Sequence, residues 1–305
     1  MVTNYPVADG KVGIVTAGGS GHLPVFLGYV GDGMLDGCAI GNVFASPSAS
    51  KMADMIKACD RGNGVLCLYG NYGGDNMNFD MACEMVEMDD VETRTVRVKD
   101  DVASSPKETK EKRRGVAGMV YAFKVAGAAA AQMKNLDEVA GVAQKALDHI
   151  RTMGVAMTPC ILPAVGKPGF QIADDEIEIG MGIHGEQGVE TTKIKSAKEI
   201  AEILVGRILD DYDYSGSEVA VLVNGLGGTP LMELYILNLE VQKILEEKGI
   251  KAQTMGAQSY EPMMKQSIAL VNNMFYSTDE SKGFDEKFNV GEGKLEEAWL
   301  PAVTE

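Results

Sequence analysis

Apolar and polar positions follow two alternating periods along this chain. Short runs of β-type residues, Val12 to Thr16, Val65 to Tyr69 and Thr93 to Val98, read as strands. Between them, Ser48 to Cys59 and Phe79 to Met88 repeat apolar residues at helical spacing. Strands that alternate with helices predict a sheet covered by helices, an α/β fold. The alanine- and glycine-rich stretch Arg113 to Ala131 predicts a helix built for close packing, and Leu136 to Met153 predicts another that contains His149.

Chain breakers then crowd together in Thr158-Pro159-Cys160-Ile161-Leu162-Pro163 and Gly166-Lys167-Pro168-Gly169, which places a domain boundary near residue 151. Beyond it, Glu176 to Ile179 and Glu218 to Val223 read as strands and Ala197 to Leu209 as a helix. The loop Asn224-Gly225-Leu226-Gly227-Gly228 leads to Thr229 as a helix cap, with Pro230 at the first helical position and Gly249 as the stop. The expectation is two α/β domains with sheets covered by helices, 1–151 and 152–305.

Charge narrows the partners. A formal net charge of −16 repels phosphate backbones and anionic headgroups, and no basic stripe interleaves with aromatics, so neither nucleic acid nor membrane is an expected partner. No apolar run approaches the roughly 20 residues that span a bilayer, and Met1 to Pro6 lacks a signal-peptide pattern; a cytoplasmic protein is expected. The five cysteines show no CxxC spacing and several sit in apolar runs as small hydrophobes. With three histidines and no HExxH, no metal site is expected in this chain.

The candidate chemistry lies in glycine-rich turns. His22 sits in Gly18-Gly19-Ser20-Gly21-His22-Leu23-Pro24 and His184 in Gly180-Met181-Gly182-Ile183-His184-Gly185-Glu186. Glycine neighbours leave little bulk around a histidine, so these two are the expected chemical centres, whereas His149 reads as structural or solvated. The turn Gly70-Asn71-Tyr72-Gly73-Gly74-Asp75-Asn76-Met77-Asn78-Phe79 follows a strand and precedes a helix. Asp75 there either caps the helix or faces a small polar ligand. The first turn exposes backbone N–H groups to ligand oxygens but is neither a P-loop nor a dinucleotide fingerprint.

The ordered set Gly-Gly-Ser-Gly-His, Phe44-Ala45-Ser46-Pro47, Gly-Asn-Tyr-Gly-Gly-Asp-Asn-Met-Asn-Phe, Arg113-Arg114-Gly115-Val116-Ala117, Pro163-Ala164-Val165-Gly166-Lys167-Pro168 and Gly-Met-Gly-Ile-His-Gly-Glu resembles the substrate-binding K subunits of dihydroxyacetone kinases. The resemblance covers nearly the whole chain and weakens after about Met255. It implies that His184 adds to the ketone carbon of a short ketose and holds it as a hemiaminal. An imidazole with a reference pKa of about 6.5 adds to a carbonyl and not to an alcohol, which separates ketoses from glycerol. It further implies that Asp75 accepts the hydroxyl proton, that His22 hydrogen-bonds the substrate, and that Gly19, Ser20, Gly21 and Ser46 line the pocket. Catalytic roles thus fall on His184, His22 and Asp75, His22 and Asp75 in the first domain and His184 in the second.

No P-loop and no kinase lysine–aspartate signature occur in the sequence. By the resemblance, this chain itself carries no cofactor; ADP or ATP with Mg belongs to a nucleotide-binding L subunit, recharged by a phosphotransferase-system donor or by exchange with ATP, and the chain forms a homodimer. The family also includes coactivator paralogues that hold the same ligand through the same histidine and regulate transcription. Retention of His22 and Asp75 favours the enzyme, because a sensor needs no hydroxyl activation. Two positions depart from the family pattern: Leu23 stands where glutamate is common and Gly70 where lysine is common. Loss of that lysine predicts a wider pocket that accepts a four-carbon ketose such as erythrulose.

Overall fold

The computed structural model describes residues 2–3, 7–159, 161, 166–225, 228–254 and 267–273. The chain divides into two compact units, 1–99 with 118–148, and 100–117 with 149–305. The division is therefore discontinuous where a single cut near residue 151 was expected.

The first unit holds a five-stranded sheet made of β1 (Val2–Thr3), β2 (Gly13–Ser20), β3 (Gly37–Val43), β4 (Val65–Gly70) and β5 (Thr93–Val98), in the order β1-β3-β2-β4-β5. All neighbours are parallel except β1 against β3. Helices α1 (Ala49–Cys59) and α2 (Gly73–Glu87) share a core with Val15, Ala17, Cys67 and Tyr69, while α3 (Met119–Ala131) and α4 (Leu136–Asp148) share another with Ile14, Leu66 and Leu68. Alternate residues of β2 and β4 thus point into separate cores, which is why these strands are near-continuous apolar runs. The chain leaves β2 for β3 on one side and returns to β4 on the other. The order changes direction between β2 and β4, the place where doubly wound sheets open a crevice at the carboxyl ends of their strands.

The second unit contains β6 (Ile150–Ala156), β7 (Glu176–Ile179), β8 (Glu190–Lys193), β9 (Glu218–Gly225), β10 (Lys251–Thr254) and β11 (Ser267–Asn273), ordered β10-β9-β11-β6-β7-β8. The four strands from β10 to β6 run parallel, and β7 and β8 extend the sheet antiparallel. Helices α5 (Ala197–Asp211) and α6 (Leu231–Glu247) pack Leu204, Ile208, Leu237 and Val241 into a core with Met153, Ile177 and Val219. A capping box opens α5: the Ser196 hydroxyl accepts from Glu199 N, and Glu199 accepts from Ser196 N.

Three expected elements change. The helix predicted from Arg113 begins at Met119, because Arg113 and Val116 are held elsewhere in the second unit. Buried Arg113 clamps Asp211 at 3.0 and 2.5 Å, and Val116 N donates to Asp100 at 2.8 Å. The helix predicted to Met153 ends at Asp148, and the following Ile150–Ala156 is a wholly buried strand. Thr152, Gly154 and Val155 are weak helix formers, and pairing with β7 and β11 decides the matter. The last helix is capped by Pro230 itself and starts at Leu231, one residue later than expected. His149 lies between α4 and β6, edge-on to Tyr212 at 5.8 Å. Cys160, Leu162 to Val165, Leu226, Gly227 and the chain from Met255 on, β11 apart, lie outside the described residues, as do Met1 and Asn4 to Pro6. Among the described residues, no helix is long and apolar enough to cross a membrane, and no group of three or more His, Cys, Asp or Glu is placed to hold a metal ion.

Candidate functional site

In the first unit the turns after β2, β3 and β4 meet at the carboxyl ends of the strands. Gly19 lacks the Cβ that would stand 2.6 Å from Ala45 N, so the backbone of the Phe44–Ser46 turn lies directly against it. Gly18 likewise makes room for Phe26, whose ring occupies the position a side chain would take, at 2.2 Å. The imidazole of His22 is enclosed by these aromatics, its centroid 4.6 Å from Phe44 and 5.7 Å from Phe26. Phe26 and Phe44 both take positive φ, 71° and 54°, a conformation bulky residues adopt only when packing over-determines it. His22 is consequently 9% exposed, a buried group instead of the open one its glycine neighbours suggested.

The third turn supplies the carboxylate. Helix α2 starts at Gly73 with Tyr72 as its cap, so Asp75 occupies the first turn and is not the cap residue. It is buried among groups that include the helix N-terminus, where the backbone dipole favours negative charge. Ser46 reaches the same helix: Asn78 Nδ2 donates to Ser46 Oγ at 3.2 Å, and the Ser46 Cβ lies 3.3 Å from the place of a side chain on Gly74. Gly19, Ser20, Gly21, His22, Ser46 and Asp75 are thus carried on three adjacent turns of one unit. The space beside Gly70 is already filled, since a Cβ there would meet Tyr72 at 3.0 Å and Met119 Sδ at 3.2 Å. The wider pocket expected from the missing lysine therefore does not follow at that position.

In the second unit His184 sits on the loop between β7 and β8 and is tied to Glu186. Glu186 Oε1 lies 3.0 Å from His184 Nδ1, and Oε2 accepts the backbone N–H of His184 at 2.9 Å. Burial works to raise the Glu186 carboxyl, but the His184 ring and backbone hold it down at about 2. An ionised carboxylate only accepts, so the hydrogen of this contact lies on Nδ1, which in the neutral ring puts the lone pair on Nε2. The His184 side chain is 25% exposed.

Arg114 supports this pair. Its Nη1 lies 3.8 Å from Glu186 Oε2, its Nη2 donates to Gly180 O at 3.0 Å, and its Nε and Nη2 grip Asp101 at 2.9 and 2.7 Å. Burial, with Asp100 nearby, pushes the Asp101 carboxyl up to about 6 against the pull of Arg114. Gly182 is required for the packing: a Cβ would fall 2.2 Å from Glu186 Oε2 and 2.4 Å from Arg114 Nη1. At the foot of the loop, buried Glu178 accepts from Gly188 N at 2.9 Å and from the Thr191 hydroxyl. Glu186, Arg114 and Asp101 had no assigned role in the sequence reading. The available signal was a carboxylate two residues after a histidine; Arg114 and Asp101 lie far away along the chain.

A family model for the Dak1 domain matches residues 1–284. The chain is 44% identical over 245 residues to the dihydroxyacetone-binding subunit DhaK of PTS-dependent dihydroxyacetone kinase 1 from Listeria innocua, covering 80% of this chain and 74% of that protein. Among solved structures it resembles the dihydroxyacetone kinase operon co-activator DhaQ, with TM-score 0.75 and 30% identity over 87% of this chain and 78% of that one. It also resembles the dihydroxyacetone kinase from C. freundii in complex with AMP-PNP and Mg2+, with TM-score 0.75 and 31% identity, covering 80% of this chain and 45% of that longer one. A match along nearly the whole sequence, together with relatives of this identity, means that the chain carrying His22, Asp75 and His184 belongs to the Dak1 domain family.

Proposed function

We propose that this chain is the ketose-binding subunit of a dihydroxyacetone-type kinase. His184 holds dihydroxyacetone or a tetrulose as a hemiaminal, for phosphoryl transfer from a nucleotide-bearing L subunit. The observation that carries the reading is the Glu186–His184 contact at 3.0 Å, which leaves Nε2 as the nucleophile. In the capture step, the Nε2–carbon bond forms as the carbonyl π bond breaks. The oxygen takes a proton from solvent, and the Nδ1 proton leaves to solvent by way of the Glu186 carboxylate, so neither the ring nor the new hydroxyl is left charged and no proton is gained or lost overall. Glycerol has no carbonyl carbon and is not captured.

Asp75 then accepts the hydroxyl proton and His22 hydrogen-bonds the substrate. A carboxylate with a reference pKa near 3.9 is a weak base toward an alcohol, but phosphoryl transfer has a loose transition state, in which orienting the hydroxyl is the larger contribution. ADP or ATP and its Mg belong to the partner, with a phosphotransferase-system protein or ATP as the phosphoryl source. A homodimer is part of the same reading. The coactivator is the second reading, supported by the likeness to DhaQ.

A ligand-soaked crystal and a coupled assay test the proposal together. Continuous density from His184 Nε2 to the ketone carbon, with phosphorylation on adding a nucleotide subunit, is the expected result. A ketose held only by hydrogen bonds would overturn the capture step. An adduct with no turnover beside any matching subunit would favour the coactivator.

A further inference from the structure

Two cysteines of the first unit have no part in this chemistry. Cys67 on β4 and Cys83 on α2 place their sulfurs 3.9 Å apart, and neither is in a disulfide. The contact is held in register one step along: Tyr69, two residues after Cys67, stacks on Phe79, four residues before Cys83, at 4.1 Å and 12°. Strand period two and helix spacing four thus bring the same pair of faces together twice. Cys67 is fully buried, whereas Cys83 is half-buried and reachable from solvent. Hydrogen bonds from Cys67 and from the Thr93 and Thr95 hydroxyls draw the Cys83 thiol down to about 6, against burial and the Asp80 carboxylate; Asp80 is itself paired with Arg97. The Cys83 contact and complete burial hold Cys67 well above its ordinary range. Burial pushes Cys38 and Cys59 up to about 12, which makes them internal controls.

We propose that Cys67 and Cys83 are a dithiol that a hydroperoxide oxidises to a disulfide, latching α2 onto β4. The Cys83 thiolate attacks the peroxide: an S–O bond forms, the O–O bond breaks, and the departing oxygen leaves as water or an alcohol after taking up a proton. Cys83 is now a sulfenic acid and the peroxide is reduced. The Cys67 sulfur then attacks Cys83 as its own proton leaves, the S–S bond forms, and the S–O bond breaks with release of water. In sum, two thiols and one hydroperoxide give one disulfide, water and an alcohol or a second water. Reaching a disulfide bond of about 2 Å from the reduced contact requires a small approach of the two elements and no rearrangement of the sheet.

The reduced full chain is treated with a few equivalents of hydrogen peroxide, quenched, unfolded in guanidinium chloride, alkylated with N-ethylmaleimide and digested with trypsin. Gly62–Arg94 contains both cysteines and no internal lysine or arginine, so one peptide reports the bond. That peptide is expected two hydrogens lighter and resistant to alkylation until dithiothreitol is added, while Cys38 and Cys59 stay fully alkylated. Methionine sulfoxides on Met77, Met81, Met85 and Met88 add mass but confer no such resistance. In C67S, dimedone is expected to trap a sulfenic acid on Cys83; in C83S, Cys67 is expected to stay reduced. A peptide that remains fully alkylatable, or one that proceeds to sulfinic acid on Cys83 without losing two hydrogens, overturns the proposal. None of these readouts depends on the kinase reading.

Discussion

His22 packs among phenylalanine rings at 4.6 and 5.7 Å, whereas His184 hangs on a carboxylate at 3.0 Å, although both lie in glycine-rich turns. In the first unit the glycines admit rings and a neighbouring backbone. In the second, Gly182 admits the Glu186 and Arg114 side chains. The two rings fix the plane and position of the His22 imidazole. A fixed carboxylate at Nδ1 selects the tautomer and raises the electron density available at Nε2. The contrast is consistent with the proposed division of labour, capture by His184 and support of transfer by His22 and Asp75.

The sharpest break is His184→Ala. Removal of the nucleophile is expected to cost about 10³-fold or more in kcat/KM with the nucleotide subunit, because capture precedes every later step. Retained turnover near wild type would end the division of labour. Asp75→Asn comes next: it keeps the shape of the α2 first turn and should leave ketose binding intact in calorimetry, while kcat falls by about 10²–10³-fold. Equal losses in binding and kcat would make Asp75 a structural residue of that turn.

Glu186→Gln sharpens the second half of the comparison. It removes a charge-assisted bond of about 1.5–3 kcal/mol and should slow adduct formation by about 10–100-fold without abolishing it. The sign of its pH dependence follows from a folded-state carboxyl at about 2 against an ordinary value of 4.5. Stability from Glu186 is fully present above the unfolded value and is lost as pH falls through that window. Urea midpoints of wild type and Glu186→Gln should therefore differ by a constant amount above pH 5 and converge toward pH 2. A difference that grows on acidification would contradict the assignment.

The smallest effect is expected at Gly70. With Tyr72 and Met119 already at 3.0 and 3.2 Å from the missing Cβ, Gly70→Ala should cost about 1 kcal/mol of stability by crowding. The ratio of kcat/KM for dihydroxyacetone and erythrulose should stay within about twofold, since one methylene in a pocket that it truly enlarges is worth about 1–3 kcal/mol. A clear swing in that ratio would restore the wider-pocket reading.

What the sequence by itself determined is what repeats locally. The strands β4, β5 and β7, the helices α1 and α5, and the glycine turns holding His22, Asp75 and His184 are all visible as period, cap or breaker within a dozen residues. Tertiary structure decided whatever depends on a distant partner. Arg113 could not be removed from a helical run until Asp211, 98 residues away, was seen to clamp it. Ile150 to Met153 read as the end of a helix because the sheet that pairs their strand comes from β7 and β11. Burial of His22 came from rings at Phe26 and Phe44, and the support of Glu186 from Arg114 and Asp101. Periodicity reports which face of an element is apolar, but the identity of the group that meets a given side chain is a long-range property. It is settled only when the elements pack and each buried polar group must find its partner.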